Sequence, residues 1–387
     1  MRILGKLAVA LALVIAALET LRIGWADYLF RKDTLQSVRL AARVWPGDAN
    51  FYVRLADLDP RNAVSYLRRA ILLDPLASKS WIALGLQVEQ QGSVAEAESC
   101  YLEAARADKQ FLPAWTLANF YSRRNDAVPF WRWARNATQM SYESIRPLLR
   151  LASVFTGNGN VIMQQMIVPR PNVEREFLRY LIEENKDASA IAARILNRAD
   201  PEDLSSLMAW INLLIETGRL PEARQLWNAL SDKRMIPYPH LTHLTNADFS
   251  QKPLEDAGFD WRITPPPGVD CERTGGGFRV QFSGKQPEAF ELISQYLDVT
   301  NGTFLLSFEY RTVDIQTTTN LRWRTGEVFS EPLPAAENWT RVTSVFNAAS
   351  LNRLSLQEQR ASGTTRPEGI VYFRRLTLST ASSVQSK

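Results

Sequence analysis

Trp81 and Trp115 stand 34 residues apart, and the same step carries Ala63 to Ala97, Leu67 to Tyr101, Ala70 to Ala104 and Asp74 to Asp108. No other feature restricts the fold as much. A period of this length exceeds one helix or strand and suits a helix–turn–helix unit. Such a unit cannot bury its apolar face alone and must stack on its neighbours.

The clearest unit runs from about Ser78 to Phe111. At helical spacing, Trp81, Leu84, Gly85 and Val88 share one face, and Gly85 allows close approach of the second helix. Gln90-Gln91-Gly92-Ser93 turns the chain, and Ala97, Tyr101 and Ala104 form the buried face of the partner helix. The preceding unit keeps Ala63, Leu67 and Ala70 and stops at Asp74-Pro75, where the proline ends the helix. Its first helix, Ala49 to Leu58, is degenerate. The following unit opens with Trp115 and Leu117 but has Ala118-Asn119 in place of Leu-Gly, and its second helix carries Trp131 and Trp133. Beyond Met140 the period fades into irregular helix pairs, with helices predicted over Pro147 to Phe155 and Asn172 to Glu184. A last pair spans Leu204 to Thr217 and Pro221 to Leu230.

These residues resemble the tetratricopeptide-repeat superfamily, strongly over about residues 60–120 and weakly from 140 to 232. The resemblance implies a short curved α-solenoid whose concave groove holds peptides or partner proteins. Gln87, Asn119, Arg123 and Arg124 fall on first helices and are candidates for lining that groove. Asn119 and Arg123, one turn apart, form a candidate clamp for an extended backbone.

Arg2 and Lys6 precede an apolar run from Leu7 to Leu18, followed by Leu21, Ile23, Trp25 and Tyr28. This layout fits a secretory signal with cleavage before Asp27, or an uncleaved membrane anchor. Glu19 and Arg22 interrupt a full span of roughly 20 residues. The expectation is export with retention of residues 1–26 as an anchor, in the cell membrane or periplasm, with the bulk of the chain extracytoplasmic.

Periodicity changes at Pro237-Tyr238-Pro239, and alternation replaces helical stripes from Thr245 onward. Candidate strands are Phe278 to Phe282, Glu291 to Leu297, Thr303 to Arg311, Asn320 to Arg324, Thr340 to Phe346 and Gly369 to Leu378. Gly275-Gly276-Gly277 reads as a hairpin turn, since no helix follows. Many short strands in this length predict an antiparallel β-sandwich. The fold class is therefore multidomain α plus β, an α-solenoid of helix pairs followed by a jelly roll. Predicted boundaries are 27–235 for the helical domain, 236–245 for a linker, 246–380 for the sandwich and 381–387 for a polar tail.

The order Asn246 to Phe249, Leu297-Asp298-Val299, the strand Phe304 to Tyr310, and Trp339 resembles galactose-binding-like jelly rolls, which include many carbohydrate-binding modules. Such modules often place an acidic residue tied to structural calcium on the last strand. Here Tyr372-Phe373-Arg374-Arg375 puts arginine there, a departure from the pattern that leaves calcium occupancy open. If the domain holds glycan, Trp261, Trp323 and Phe329 are candidates to stack on sugar rings, with Arg322 or Arg324 as donors. Trp339 is read as core.

Composition is ordinary for globular domains, with 45% hydrophobic and 22% charged residues. The charge of +4 is dispersed, which excludes a nucleic-acid signature. Cys100 and Cys271 form no zinc or redox spacing, and Cys100 reads as a buried small hydrophobe. His240 and His243 lack a third metal ligand, and the spacings Glu288/Glu291 and Asp256/Asp260 are commonplace. No cofactor, metal or catalytic residue is assigned. The expected function is a non-enzymatic, membrane-tethered envelope scaffold. Its solenoid binds protein partners and its sandwich contacts glycan or protein, and the resemblance implies an accessory role in exopolysaccharide or surface-glycan assembly or export. The alternatives are a carbohydrate-binding protein whose repeats are a stalk, and a degenerate hydrolase.

Overall fold

The computed structural model describes residues 2–254, 258–299, 302–316, 318–348 and 351–380, without the side chains of 2–9, 348, 351 and 352. The predicted tail 381–387 and Asp256 lie outside the described residues. Among the described residues, fourteen α-helices precede ten β-strands. The chain divides into two compact units, Met1–Phe177 and Leu178–Lys387.

The first unit opens with α1 (Arg2–Phe30), a continuous helix of 29 residues. It leads into α2 (Leu35–Val44), α3 (Ala49–Leu58), α4 (Ala63–Leu73), α5 (Ser78–Gln90), α6 (Val94–Ala107), α7 (Phe111–Arg123) and α8 (Ala127–Met140). Each helix packs on the next in sequence, as expected of stacked helix pairs. The repeating residues explain the stacking. Ala63, Ala70, Ala97 and Ala104 are buried, so partner helices approach closely, and Leu67 and Tyr101 fill equivalent positions between them. A Cβ on Gly85 would fall 2.5 Å from the Tyr101 ring, which accounts for glycine there. The recurring aspartates also have one local role. Asp74 and Asp108 accept from the backbone N–H of Leu76 and Gln110 at 3.1 and 3.0 Å, starting the same turn after successive second helices. The unit continues through α9 (Arg146–Phe155) and α10 (Gly159–Gln165) and ends inside α11 (Pro171–Glu183).

In the second unit, α12 (Ser189–Arg198), α13 (Leu204–Glu216) and α14 (Leu220–Asp232) precede the β-region. One five-stranded antiparallel sheet is formed by β1 (Arg262–Ile263), β4 (Ala289–Val299), β9 (Leu351–Gln359), β6 (Leu321–Thr325) and β7 (Val328–Phe329), in that spatial order. The other is formed by β2 (Val269–Thr274), β3 (Gly277–Ser283), β10 (Glu368–Thr380), β5 (Gly302–Val313) and β8 (Thr340–Ala348). Alternating residues of both sheets meet in one core that contains Trp261, Phe278, Phe308, Trp323 and Phe373. The glycine run makes the β2–β3 hairpin, with Thr274 paired to Gly277. A Cβ on Gly277 would lie 1.9 Å from the Phe373 carbonyl oxygen.

The sequence predicts a domain break at Pro237, but the last helix pair lies in the compact unit that contains the sheets. Trp227 of α14 is fully buried, stacked on Tyr238 at 5.9 Å and edge-on to Phe259 at 5.7 Å. Arg262 donates to Asn212 of α13 and to the Gly258 carbonyl, and Arg224 of α14 pairs with Asp298 of β4 at 3.0 Å. The proline tract changes secondary structure, yet Tyr238 within it and Phe259 beyond it pack on the last helix.

Candidate functional site

Among the candidate groove residues, Asn119 and Arg123 are already engaged. The Asn119 amide donates to the Trp115 carbonyl of its own helix at 2.9 Å. Arg123 donates to both carboxylate oxygens of Glu89 at 2.9 Å, and Tyr101 O–H donates to Glu89 at 2.7 Å. Glu89 therefore ties α5, α6 and α7 together, and its spacing from Arg123 is the repeat period itself. Arg123 thus ties one repeat to the next while Asn119 bonds within its own helix, so the structure does not bring the two together as a clamp. Arg124 lies over the Phe120 ring at 5.0 Å, and Gln87 is half-buried. A separate apolar cavity of about 480 Å³ lies over α4, α5 and α6, lined by Ile71, Leu72, Trp81, Leu84 and Cys100. Arg68 and Glu96, paired at 2.7 Å, line the same cavity, and Leu72 is exposed.

In the sandwich, the structure overturns two candidates for sugar stacking. Trp261 and Trp323 are 1% and 0% exposed and form the centre of the core. Trp323 shares the inward parity of Leu321, so no ring face is available. Phe329 is covered by the Arg324 guanidinium at 5.1 Å, and Arg324 also donates to the Gly326 carbonyl. Arg322 is half-buried on the outward parity of the same strand.

Trp339, read as core from sequence, is instead 36% exposed. It precedes β8 and joins an array on the outer face of the second sheet. Arg374 lies 3.8 Å from its ring centroid and Arg311 lies 5.3 Å from it, while Arg311 also covers Tyr372 at 4.7 Å. Strand register sets the array. Tyr372 is opposite both Arg279 and Arg311, and Glu309 is opposite both Arg374 and Arg341. A bulge between Arg374 and Thr377, with Arg375 at φ 55°, brings the adjacent Arg375 to the same carboxylate. Glu309 consequently binds Arg374 at 2.8 Å, Arg375 at 3.0 Å and Arg341 at 3.3 Å. Arg374 foremost, and Arg375 after it, hold its carboxyl below the usual range. Sequence reading missed the array because the bulge is invisible in a pattern of period two.

A cavity of about 1090 Å³ adjoins the array, lined by Asn246, Asp248, Ser307, Arg341, Thr343 and Arg375 among others. Hydroxyls of Ser307 and Thr343 lie 2.8 Å apart.

The remaining polar groups have structural positions. Asp260 is buried and accepts from Tyr238 O–H and from the backbone N–H of Leu254 and Trp261. Burial raises its pKa against those bonds. His240 bonds Asp232 at 2.6 Å. Glu288 and Glu291 are tied to Arg360 and Arg353 respectively. Among the described residues, no group of three His, Cys, Asp or Glu side chains could hold a metal ion. Glu358 stands apart: it is 1% exposed, neither carboxylate oxygen has a hydrogen-bond partner, and burial pushes its pKa up to about 7.

No family profile and no curated protein matches the chain. Among solved structures, the helical part is similar to YrrB, described as a TPR protein with an unusual peptide-binding site. That match has 15% identity and a TM-score of 0.24, and covers 52% of this chain and 94% of that one. It is also similar to PilF of Pseudomonas aeruginosa, at 18% identity and TM-score 0.26, covering 56% and 91%. The β-region is similar to CBM4, at 12% identity and TM-score 0.27, covering 35% and 97%.

Proposed function

We propose that the protein is a non-catalytic, membrane-tethered scaffold of a bacterial envelope, in which the helical repeats hold a protein partner and the sandwich contacts glycan. The observation that carries the tether is the surface of α1. Leu11, Leu13, Val14, Ile15, Leu18, Leu21, Ile23, Trp25 and Tyr28 are all exposed, whereas Ala26 and Leu29 of the same helix are buried against α2 and α3. A continuous apolar helix surface of this size is costly in water and suits a lipid environment. Among the described residues no helix is long and apolar enough to cross a membrane; the side chains that begin the run, Leu7 to Val9, lie outside them.

The details of α1 support insertion down to its last turns. Glu19 and Arg22, the charges that interrupt the apolar run, pair with each other at 2.9 Å, and Arg22 also donates to the Val44 carbonyl. Trp25 stacks on Tyr28, and Lys32 lies over the Tyr28 ring at 4.6 Å. Aromatics beside a cation suit the headgroup level. Cleavage before Asp27 would remove the buried Ala26 from the first packed turn, so retention of the segment is the favoured state. In this topology the bulk of the chain is extracytoplasmic, in a position to assist surface-glycan assembly or export.

For the repeats, the apolar cavity beside Leu72 and Trp81 accommodates a hydrophobic side chain of a partner protein. Flotation of the full chain with lipid vesicles tests the tether. Wild-type protein floats, and a variant with Leu11, Val14, Ile15 and Leu18 replaced by Gln stays at the bottom while remaining folded. Equal flotation of both, or of neither, contradicts the proposal.

A further inference from the structure

The outer face of the β2-β3-β10-β5-β8 sheet is rich in arginine, with Arg311 and Arg374 stacked on aromatic rings, and its chemistry narrows what the sandwich would contact. Five arginines (Arg279, Arg311, Arg341, Arg374 and Arg375) lie on this face together with Asp270, Glu272, Glu309 and, at the start of β10, Glu368. Arg279 is paired with Asp270 and Glu272, whereas Arg341, Arg374 and Arg375 share the single carboxylate of Glu309. None of the described carboxylates pairs with Arg311, and its solvent-shielded Nε has no hydrogen-bond partner. The centre of the face, around Glu309 and Arg311, therefore holds more guanidiniums than carboxylates, placed there by strand register.

The aromatic rings of this face already carry guanidinium partners, although Trp339 keeps 36% of its surface exposed. Arg374 lies against Trp339, and Arg311 lies between Trp339 and Tyr372. A neutral sugar needs a bare ring face to stack on, and so does a nucleobase. A guanidinium stacked on an aromatic leaves its N–H edge outward, preoriented for an oxyanion. Arg341 and Arg375 are 69% and 64% exposed and line the 1090 Å³ cavity. The same cavity offers Ser307, Thr343 and Thr377 hydroxyls and one acidic group, Asp248. Hydroxyls beside two guanidiniums match a polyhydroxylated ring that bears one carboxylate. Asp248 would disfavour a more highly charged phosphate. Arg341 and Arg375 reach the same Glu309 oxygen, at 3.3 and 3.0 Å, so the two guanidiniums converge on one point of the face.

We infer that the sandwich binds an acidic glycan through this face, its uronate carboxylates contacting Arg341 and Arg375 and its hydroxyls the adjoining cavity. Glu309 acts as the resident counter-ion that holds three like charges together before ligand arrives. This inference rests on the glycan-contacting role proposed above and specifies its class.

Affinity electrophoresis of the full chain in gels containing polygalacturonate, alginate or hyaluronan tests it, with fully methyl-esterified polygalacturonate as the neutral counterpart. At least one acidic polymer retards the wild type, and added salt weakens the effect. The R341Q/R375Q double variant, folded by circular dichroism, loses roughly tenfold or more in affinity. Retardation by the methyl ester, undiminished in the double variant, overturns the acidic class and leaves the glycan role standing. Retardation by no polymer overturns both. Equal retardation by inorganic polyphosphate overturns the glycan assignment in favour of an unspecific polyanion surface.

Discussion

Replacing Glu358 by Gln is expected to abolish a pH dependence of sandwich stability. Glu358 lies on β9 opposite Phe290 and Leu321, buried and without a hydrogen-bond donor for either oxygen. Burial outweighs the attraction of Arg360 and Arg366 and moves its pKa from 4.5 to about 7. Because the folded-state pKa is raised, the folded state favours the protonated carboxyl. The associated stability is fully present below about pH 4.5 and is lost as pH rises through about 7. The rise from 4.5 to about 7 corresponds to about 3 kcal/mol. In E358Q the amide imitates the protonated acid, so the variant should match wild type near pH 4.5 and exceed it by about 2–3 kcal/mol at pH 8. Native-state hydrogen exchange read over Leu321–Thr325 and Leu351–Gln359 measures this locally, after correction for the pH dependence of intrinsic exchange. If wild type and E358Q lose protection equally between the two pH values, the carboxylate is solvated or paired and the reasoning fails.

Three further outcomes follow from packing. Gly85→Ala should destabilise the first unit by about 1–3 kcal/mol in urea, because the new methyl meets the buried Tyr101 ring at 2.5 Å; an unchanged midpoint would show that the ring can move aside. Trp227→Ala should cost about 3–5 kcal/mol and, since Trp227 touches Tyr238 and Phe259, lower exchange protection in Arg262–Ile263 as well as in α14. Protection lost from the helix alone would refute their shared core. The thiols of Cys100 and Cys271 are pushed by burial to about 11 and 12. Alkylation of Cys100 at pH 8 should therefore run at least roughly a hundredfold slower in native protein than in urea.

The stacked repeats were legible in the chain because their cause is local and recurrent. Small residues at Ala97 and Ala104 and the absence of a Cβ at Gly85 state directly that two helices touch. The Glu89–Arg123 tie was legible in principle, since its members are separated by the period, but charge alone does not say whether an arginine faces a partner or a neighbouring repeat. Strand parity places Trp323 inside with Leu321, and that signal should have outweighed the appeal of an available tryptophan. Strand β9 was hidden by its polar composition, with Arg353, Ser355 and Gln357 alternating with Leu354, Leu356 and the buried Glu358. The arginine face was not legible, because it depends on which strands are neighbours and on one bulge in β10.

The burial of Trp227 between Tyr238 and Phe259 bears on how such a sandwich can be passed between proteins. A gene fusion that begins at the proline tract would carry ten strands and leave behind part of the floor on which they rest. The heritable piece is larger, reaching back to α12, and a lineage acquiring the sandwich would acquire its last helices with it. Recombination points that give soluble chimaeras should accordingly fall in the turn ahead of α12 and be scarce around Pro237.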